Sequence, residues 1–284
     1  MRKLTVAGAA LFLTVASPAF AELNLSLRLA GGATRLVLND ASTVLKDWEA
    51  WHIKEVETIK NLALVEDKVG SLHAGYDFDI ELILGFGRYF ALGIGAGVLN
   101  ASLSEEDAFM TVARPSGTFN YAHTMTANAF PVLVSGYLHV PLGGKFSAYA
   151  RAGGGLAWGK FVEREANRLA TSPKYAYPVS QSATAKGTIL AAGAGLCFET
   201  DEKLSFFAEV SARKGVLADF EGQAKDGTKG SLYSFEQYDT RLAFWQHRFE
   251  IRTGAPTGRY FRDQGKARID FGGVSVKLGV ALKF

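Results

Sequence analysis

From Phe271 to Phe284 the sequence reads FGGVSVKLGVALKF. Taken at period 2, Gly272, Val274, Val276, Leu278, Val280, Leu282 and Phe284 share one side, and Gly273, Ser275, Lys277, Gly279, Ala281 and Lys283 share the other. A strand built this way has one face that suits lipid and one that does not.

Seven earlier stretches alternate alike, giving eight in all. Leu23, Leu25, Leu27 and Leu29 oppose Asn24, Ser26, Arg28 and Ala30. Tyr76, Phe78, Ile80, Leu82, Leu84 and Phe86 oppose Asp77, Asp79, Glu81, Ile83 and Gly85. Phe90, Leu92, Ile94, Ala96 and Val98 oppose Ala91, Gly93, Gly95 and Gly97. Phe130, Val132, Val134, Leu138 and Val140 oppose Leu133, Ser135, Tyr137 and His139, with Pro131 weakening the ladder at the start. The fifth runs from Phe146 to Trp158, with Tyr149, Arg151, Gly153 and Gly155 on its polar side. In the sixth, Leu190 to Phe198 alternates against Gly193, Gly195, Cys197 and Glu199. In the seventh, Leu204, Phe206, Ala208 and Val210 oppose Ser205, Phe207, Glu209, Ser211 and Arg213.

Between these stretches short turns (86–89, 141–144, 200–203) take turns with long connections (31–71, 104–127, 160–186, 214–267). Alternation alone also fits a soluble barrel with its apolar side inward. Gly93, Gly95, Gly97, Gly153, Gly155, Gly193, Gly195, Gly273 and Gly279 decide against that, because most lie on the charged side. Glycine gains nothing on a solvated exterior, whereas the interior of an eight-stranded barrel must mix small residues with large.

The sequence opens with Met1-Arg2-Lys3, an apolar run from Leu4 to Ala16, and the small-x-small site Ala19-Phe20-Ala21. Residues 1–21 are therefore expected to be a secretory signal peptide, and 22–284 one β-barrel domain. No later window is long and apolar enough for a spanning helix, so insertion must be by strands. Without Arg2 and Lys3 the 31 basic residues become 29 against 28 acidic, near +1, which excludes a nucleic-acid-binding balance. Cys197 is the sole cysteine and no Cys/His cluster has metal-ligand spacing, so no metal and no cofactor is expected.

In these features the chain resembles small bacterial outer-membrane β-barrels of the OmpA-like and OmpW-like type. The resemblance implies an all-β, eight-stranded antiparallel up-and-down transmembrane barrel with short periplasmic turns and long extracellular loops. It implies outer-membrane lipid around a monomer, and an assembly signal, read by the barrel assembly machinery, in Val276, Leu278, Val280, Leu282 and the terminal Phe284. Aromatics at the membrane edges are expected in Tyr76, Phe86, Tyr89, Phe90, Phe130, Phe146, Trp158, Phe198 and Phe284.

Within the first long connection, Asp40 is placed to cap a helix over about 41–64, with Leu45, Trp48, His52, Val56, Ile59 and Ala63 on one side; 53–59 also half-alternates as a strand. In the last connection Arg241, Arg248, Arg252, Arg259 and Arg262 alternate with aromatics and are candidates to contact lipopolysaccharide phosphates. Inside the barrel, Arg28, Asp77, Asp79, Glu81, Arg151, Glu209, Arg213 and Lys277 face the lumen, where charges must pair.

These charges are expected to form a salt-bridged filling, with Glu81 and Glu209 meeting Arg28, Arg151 and Lys277. Ser135, Tyr137 and His139 form a row on one strand rather than a triad. The expected function is a non-enzymatic surface barrel whose loops bind an extracellular ligand or serve envelope structure, with a narrow porin-like channel as the rival. A barrel enzyme would gain only if the folded loops set a histidine against a serine or a carboxylate.

Overall fold

The computed structural model describes residues 23–172, 174 and 176–284; the expected signal peptide and Glu22 lie outside them. The elements run β1 (Leu23–Leu36), α1 (Asn39–Thr58), β2 (Ala63–Val69), β3 (Ala74–Phe86), β4 (Phe90–Leu103), β5 (Ala108–Arg114), β6 (Gly117–Gly143), β7 (Phe146–Leu169), β8 (Ala176–Glu199), β9 (Leu204–Lys214), β10 (Val216–Leu217), β11 (Glu221–Ala224), β12 (Lys229–Asp239), β13 (Phe244–Arg252), β14 (Phe261–Lys266), β15 (Ile269–Asp270) and β16 (Gly273–Lys283).

Eight of these strands close a ring in the order β1, β3, β4, β6, β7, β8, β9, β16 and back to β1, each pair antiparallel. Closure removes the sheet edges that a bilayer cannot hydrate. Around the lower ring the outward positions form a continuous apolar belt, in which Leu278 is 69% and Leu190 61% exposed. A belt of that extent is lipid-facing surface. Tight turns join β3 to β4, β6 to β7 and β8 to β9, and Ser26 of β1 pairs with Lys283 of β16 at the same end, which is the periplasmic end in this architecture.

Above the belt the chemistry of the wall reverses without a break in the ladder. On β7 the outward residues pass from Leu156 and Trp158 to Lys160 and Arg164, while the inward ones pass from Tyr149 and Arg151 to Phe161, which is fully buried. On β8, Leu196 and Leu190 face out below, whereas Ile189, Ala185 and Ala183 face in above. The upper ring is thus packed like a water-soluble barrel. Its core gathers Leu36, Leu38, Leu99, Met125, Phe161, Ile189, Phe220 and Phe271 with the inner face of α1. The small ribbon of β10 and β15 folds in below, and Gly159 and Gly187 leave room for Leu217; a Cβ at Gly187 would come within 2.7 Å of Leu217 Cδ2.

The long connections carry further strands, and the expected bounds and capping of the helix are corrected. Residues 104–127 and 160–186 are mostly strand: β5 and the upper parts of β6, β7 and β8 carry hairpins beyond the membrane, and the last connection holds β10 to β15. The first-connection helix spans Asn39–Thr58, not 41–64 and not a strand at 53–59. Its N-cap is Leu38 in the left-handed region (φ 40), with no side-chain cap, so Asp40 sits in the first turn rather than at the cap. The chain turns extended at Ile59, and Ala63 opens β2, so neither reaches the buried side.

Candidate functional site

The lumen is filled by two connected polar layers. In the lower one Arg28 ion-pairs with Glu209 at 2.5 Å, Arg151 Nη2 reaches Glu209 at 2.8 Å, and Arg151 Nη1 lies 3.5 Å from Glu81. Tyr137 and Tyr149 complete it: Arg28 donates to both hydroxyls at 2.8 and 3.0 Å, Tyr137 donates to Glu81, and Tyr149 donates to Glu209 at 2.9 Å. The Phe207 ring lies 3.9 Å beneath the Arg28 guanidinium. These large side chains fit because their neighbours lack one. A Cβ at Gly195 would come within 2.6 Å of the Tyr149 hydroxyl, and one at Gly93 would collide with the Glu81 carboxylate.

The upper layer joins Arg213 to Asp77 at 2.5 Å and to the Thr34 and Ser275 hydroxyls at 2.9 and 2.7 Å. Lys277 binds Asp79, stands 3.2 Å from Asp77, and at 3.8 Å from Glu209 links the two layers. All eight sequence-nominated charges thus meet in one network of four carboxylates and four cations, formally neutral. A cavity of about 30 Å³ bordered by Asp77, Asp79, Glu81, Arg151, Arg213 and Lys277 has room for water on the scale of single molecules. The alternation puts Tyr137 and Tyr149 on the polar side without assigning them to the network, and it gives the inward Phe207 no role beyond filling space.

Higher still, α1 is latched into the mouth from several sides. Glu55 pairs with Arg114 of β5 at 2.9 Å, Trp51 Nε1 donates to Asp239 of β12 at 3.1 Å, Trp48 Nε1 donates to Glu165 of β7 at 3.4 Å, and Asp47 accepts the His247 backbone N–H of β13 at 2.8 Å. His52 packs between Trp48, Trp51 and Tyr121, and its Nδ1 is 3.0 Å from the Trp48 carbonyl. Burial pushes its pKa below 6.5, with the Trp48 hydrogen bond and the Glu165 and Glu55 charges working the other way.

Beneath lies His123, 2.8 Å from Glu163, whose second oxygen accepts from Gln181 at 2.6 Å. Gln181 also bonds the Phe249 carbonyl and the Ile251 N–H, tying β8 to β13. This second buried polar cluster is a feature the sequence reading missed: its members come from β6, β7, β8 and α1, and no spacing along the chain joins them.

The folded loops therefore do set histidines against serine and carboxylate. Besides His123 and Glu163, Ser234 Oγ lies 2.7 Å from His247 Nε2, and Ser42 Oγ lies 3.3 Å from His73 Nε2. Among the described residues neither pair has a third member. Asp47 takes the backbone N–H of His247 rather than its ring, and the other ring nitrogen of His73 is bonded to the Leu36 carbonyl at 2.9 Å. Ser234 is 8% exposed and His123 2%. Among the described residues no carboxylate meets the ring of His73 or His247, and the pair of His123 with Glu163 is closed to solvent.

The arginines of the last connection are engaged locally. Arg241 pairs with Asp239, Arg248 with Glu165, Arg252 with Glu250 and Arg262 with Glu236, while Arg259 lies over Tyr260. Arg262 also stacks on Trp245 at 4.2 Å. In β16, Val276, Leu278 and Leu282 are lipid-facing and exposed, Val280 is half-buried on the same face, and Phe284, just past the strand, is exposed.

A closed ring of eight strands, apolar outside and ion-paired within, defines the chain as a transmembrane β-barrel of the outer-membrane type. No family model and no curated protein matches it. Among solved structures it is similar to a major outer membrane protein from Thermus thermophilus, with 12% identity, 93% of this chain and 100% of that one covered, and a TM-score of 0.41. It is also similar to the outer membrane protein OprG from Pseudomonas aeruginosa, with 14% identity, 91% and 95% coverage, and a TM-score of 0.38. For the attachment invasion locus protein Ail of Yersinia pestis the values are 10%, 92% and 99%, and 0.37.

Proposed function

We propose that this protein is a closed, non-enzymatic barrel that anchors a rigid extracellular β-structure for binding or for envelope architecture. The observation that carries this reading is the double closure of the lumen. A neutral ion-pair network crosses the membrane section, and an apolar core under α1 fills the mouth above it. Two barriers of opposite chemistry in series leave neither a hydrated path for ions nor an open route for apolar solutes. The latching of α1 by four strands favours display over gating, because each contact would have to break for the mouth to open. Purified protein reconstituted into planar bilayers is expected to give no steady single-channel conductance. A stable conducting level in the wild type would overturn the proposal in favour of a narrow pore.

A further inference from the structure

Following each barrel strand outward from its lipid-facing run, the first charged residue on the outer face is basic on four strands. It is Arg35 on β1, Lys160 on β7, Lys186 on β8 and Lys214 on β9. All four are exposed, and among the described residues none of their side chains has an ion pair or hydrogen bond. They are neighbours in the wall: Lys160 pairs in register with Thr184, two positions from Lys186, while Lys186 itself lies opposite Trp158. Lys214 lies opposite Leu190, and β16 alone separates β9 from β1. On β3, β4 and β6 the outward residues at the corresponding height are Tyr76, Ser102, Asn128 and Thr126, all uncharged. The charge is therefore an arc on one side of the barrel, immediately above the apolar belt.

We propose that this arc binds the phosphates of an outer-leaflet glycolipid. Unpaired cations at the rim have no protein partner to displace, unlike the arginines of the last connection, each of which is already held. Trp158, exposed below Lys160, supplies the amphipathic ring that settles at headgroup level. A glycolipid, rather than a phospholipid, is favoured by what stands above: a shallow, open polar surface bearing Thr184, Glu221, Lys229, Ser231 and Thr253, which can meet sugar hydroxyls. The inference rests on the orientation of the barrel and not on its closure, so conductance results leave it standing.

The test uses the mature protein refolded into phosphatidylcholine vesicles containing lipid A, extracted in mild detergent and assayed for lipid A retained per protein. Wild type should retain it, less so as salt rises. The variant combining Arg35→Gln, Lys160→Gln, Lys186→Gln and Lys214→Gln should lose about tenfold or more. Arg241→Gln with Arg252→Gln should lose none. If the fourfold variant lacks the heat-modifiable mobility of a folded barrel, Lys160→Gln with Lys186→Gln, and Arg35→Gln with Lys214→Gln, are each expected to lose severalfold, and exchange of the lysines for arginine to keep binding. Retention by the glutamine variants equal to wild type would overturn the proposal. So would equal retention of phosphatidylglycerol in place of lipid A, or an effect of the substitutions confined to soluble heparin binding.

Discussion

Arg28 and Glu81 stand directly opposite one another in the register of β1 and β3, yet the tyrosine hydroxyl of Tyr137, from the far wall of the barrel, is the group that joins them. Arg28 directs its ion pair to Glu209 instead, and Glu81 receives Arg151. The network is thus knitted mostly between strands that are not neighbours in the ring, and its polar crosslinks tie those parts of the wall together.

Tyr137→Phe removes that bridge while keeping the ring. Glu81 then loses a donor in a buried site, and stability in urea should fall by about 1–3 kcal/mol. Glu81→Ala strips Arg151 and Tyr137 of a partner and should cost more, roughly 3–5 kcal/mol in a dry lumen. Equal stability of both variants and wild type, with unchanged conductance, would mean that the lumen charges are solvated.

Closure in series makes a second prediction. Trp48→Ala empties the side chain that α1 seats between His52, His123 and Glu165, and should destabilise the extracellular half by about 3–5 kcal/mol. It should leave the protein non-conducting, since the ion-paired layers lie below. Limited proteolysis of α1, read beside bilayer recordings, separates the two effects; a new steady current would show that the apolar core alone seals the barrel.

His52 makes the docking of α1 pH-dependent. Because burial holds its folded pKa below 6.5, the undocked helix binds a proton more readily than the docked one. Docking stability should therefore be complete above about pH 6.5 and decline as pH falls from there toward the depressed value. The charged or titratable groups around it are Glu55, Glu165, His123, Tyr121 and, through Glu55, Arg114. Hydrogen exchange of the α1 amides should quicken in that window, and His52→Phe should flatten the response; an unchanged profile in the variant would exclude His52 as its source.

On the closing strand, Leu278→Arg places a charge on a fully lipid-facing position and should cost about 2–4 kcal/mol near the midplane. Lys283→Ala, inward at the periplasmic rim, should lose little beyond its pair with Glu199. Deleting Phe284 is expected to slow insertion through the assembly signal more than its contacts suggest. Comparable folding yields for all three would show the two faces of β16 to be equivalent.

The membrane section was legible because lipid imposes one rule on every strand: Leu278, Leu190 and Phe78 face out while Lys277, Gly193 and Asp77 face in. Above the bilayer that rule lapses. Lys160 and Phe161 alternate as strictly as Trp158 and Ala157 do, but with the polar partner outside, so the pattern changes phase and reads as a loop. Placing the nominated lumen residues on the inner face needed only each one's own parity. Their pairing was not readable, since it depends on which side chains are long enough to cross, and Tyr137 and Tyr149 carry no charge to advertise them. Helix α1 was visible by its apolar spacing, but its ends follow from Leu38 and Ile59, whose backbone is set by the strands they join.

The reversal along β7 and β8 has a bearing on how the barrel finds its register. A slip of one residue would carry Arg151 into lipid and, on the same strand, Phe161 into water, with Leu156 driven into the charged lumen. Two solvents of opposite preference thus proofread one hydrogen-bond ladder, and a misaligned intermediate is rejected from both ends at once.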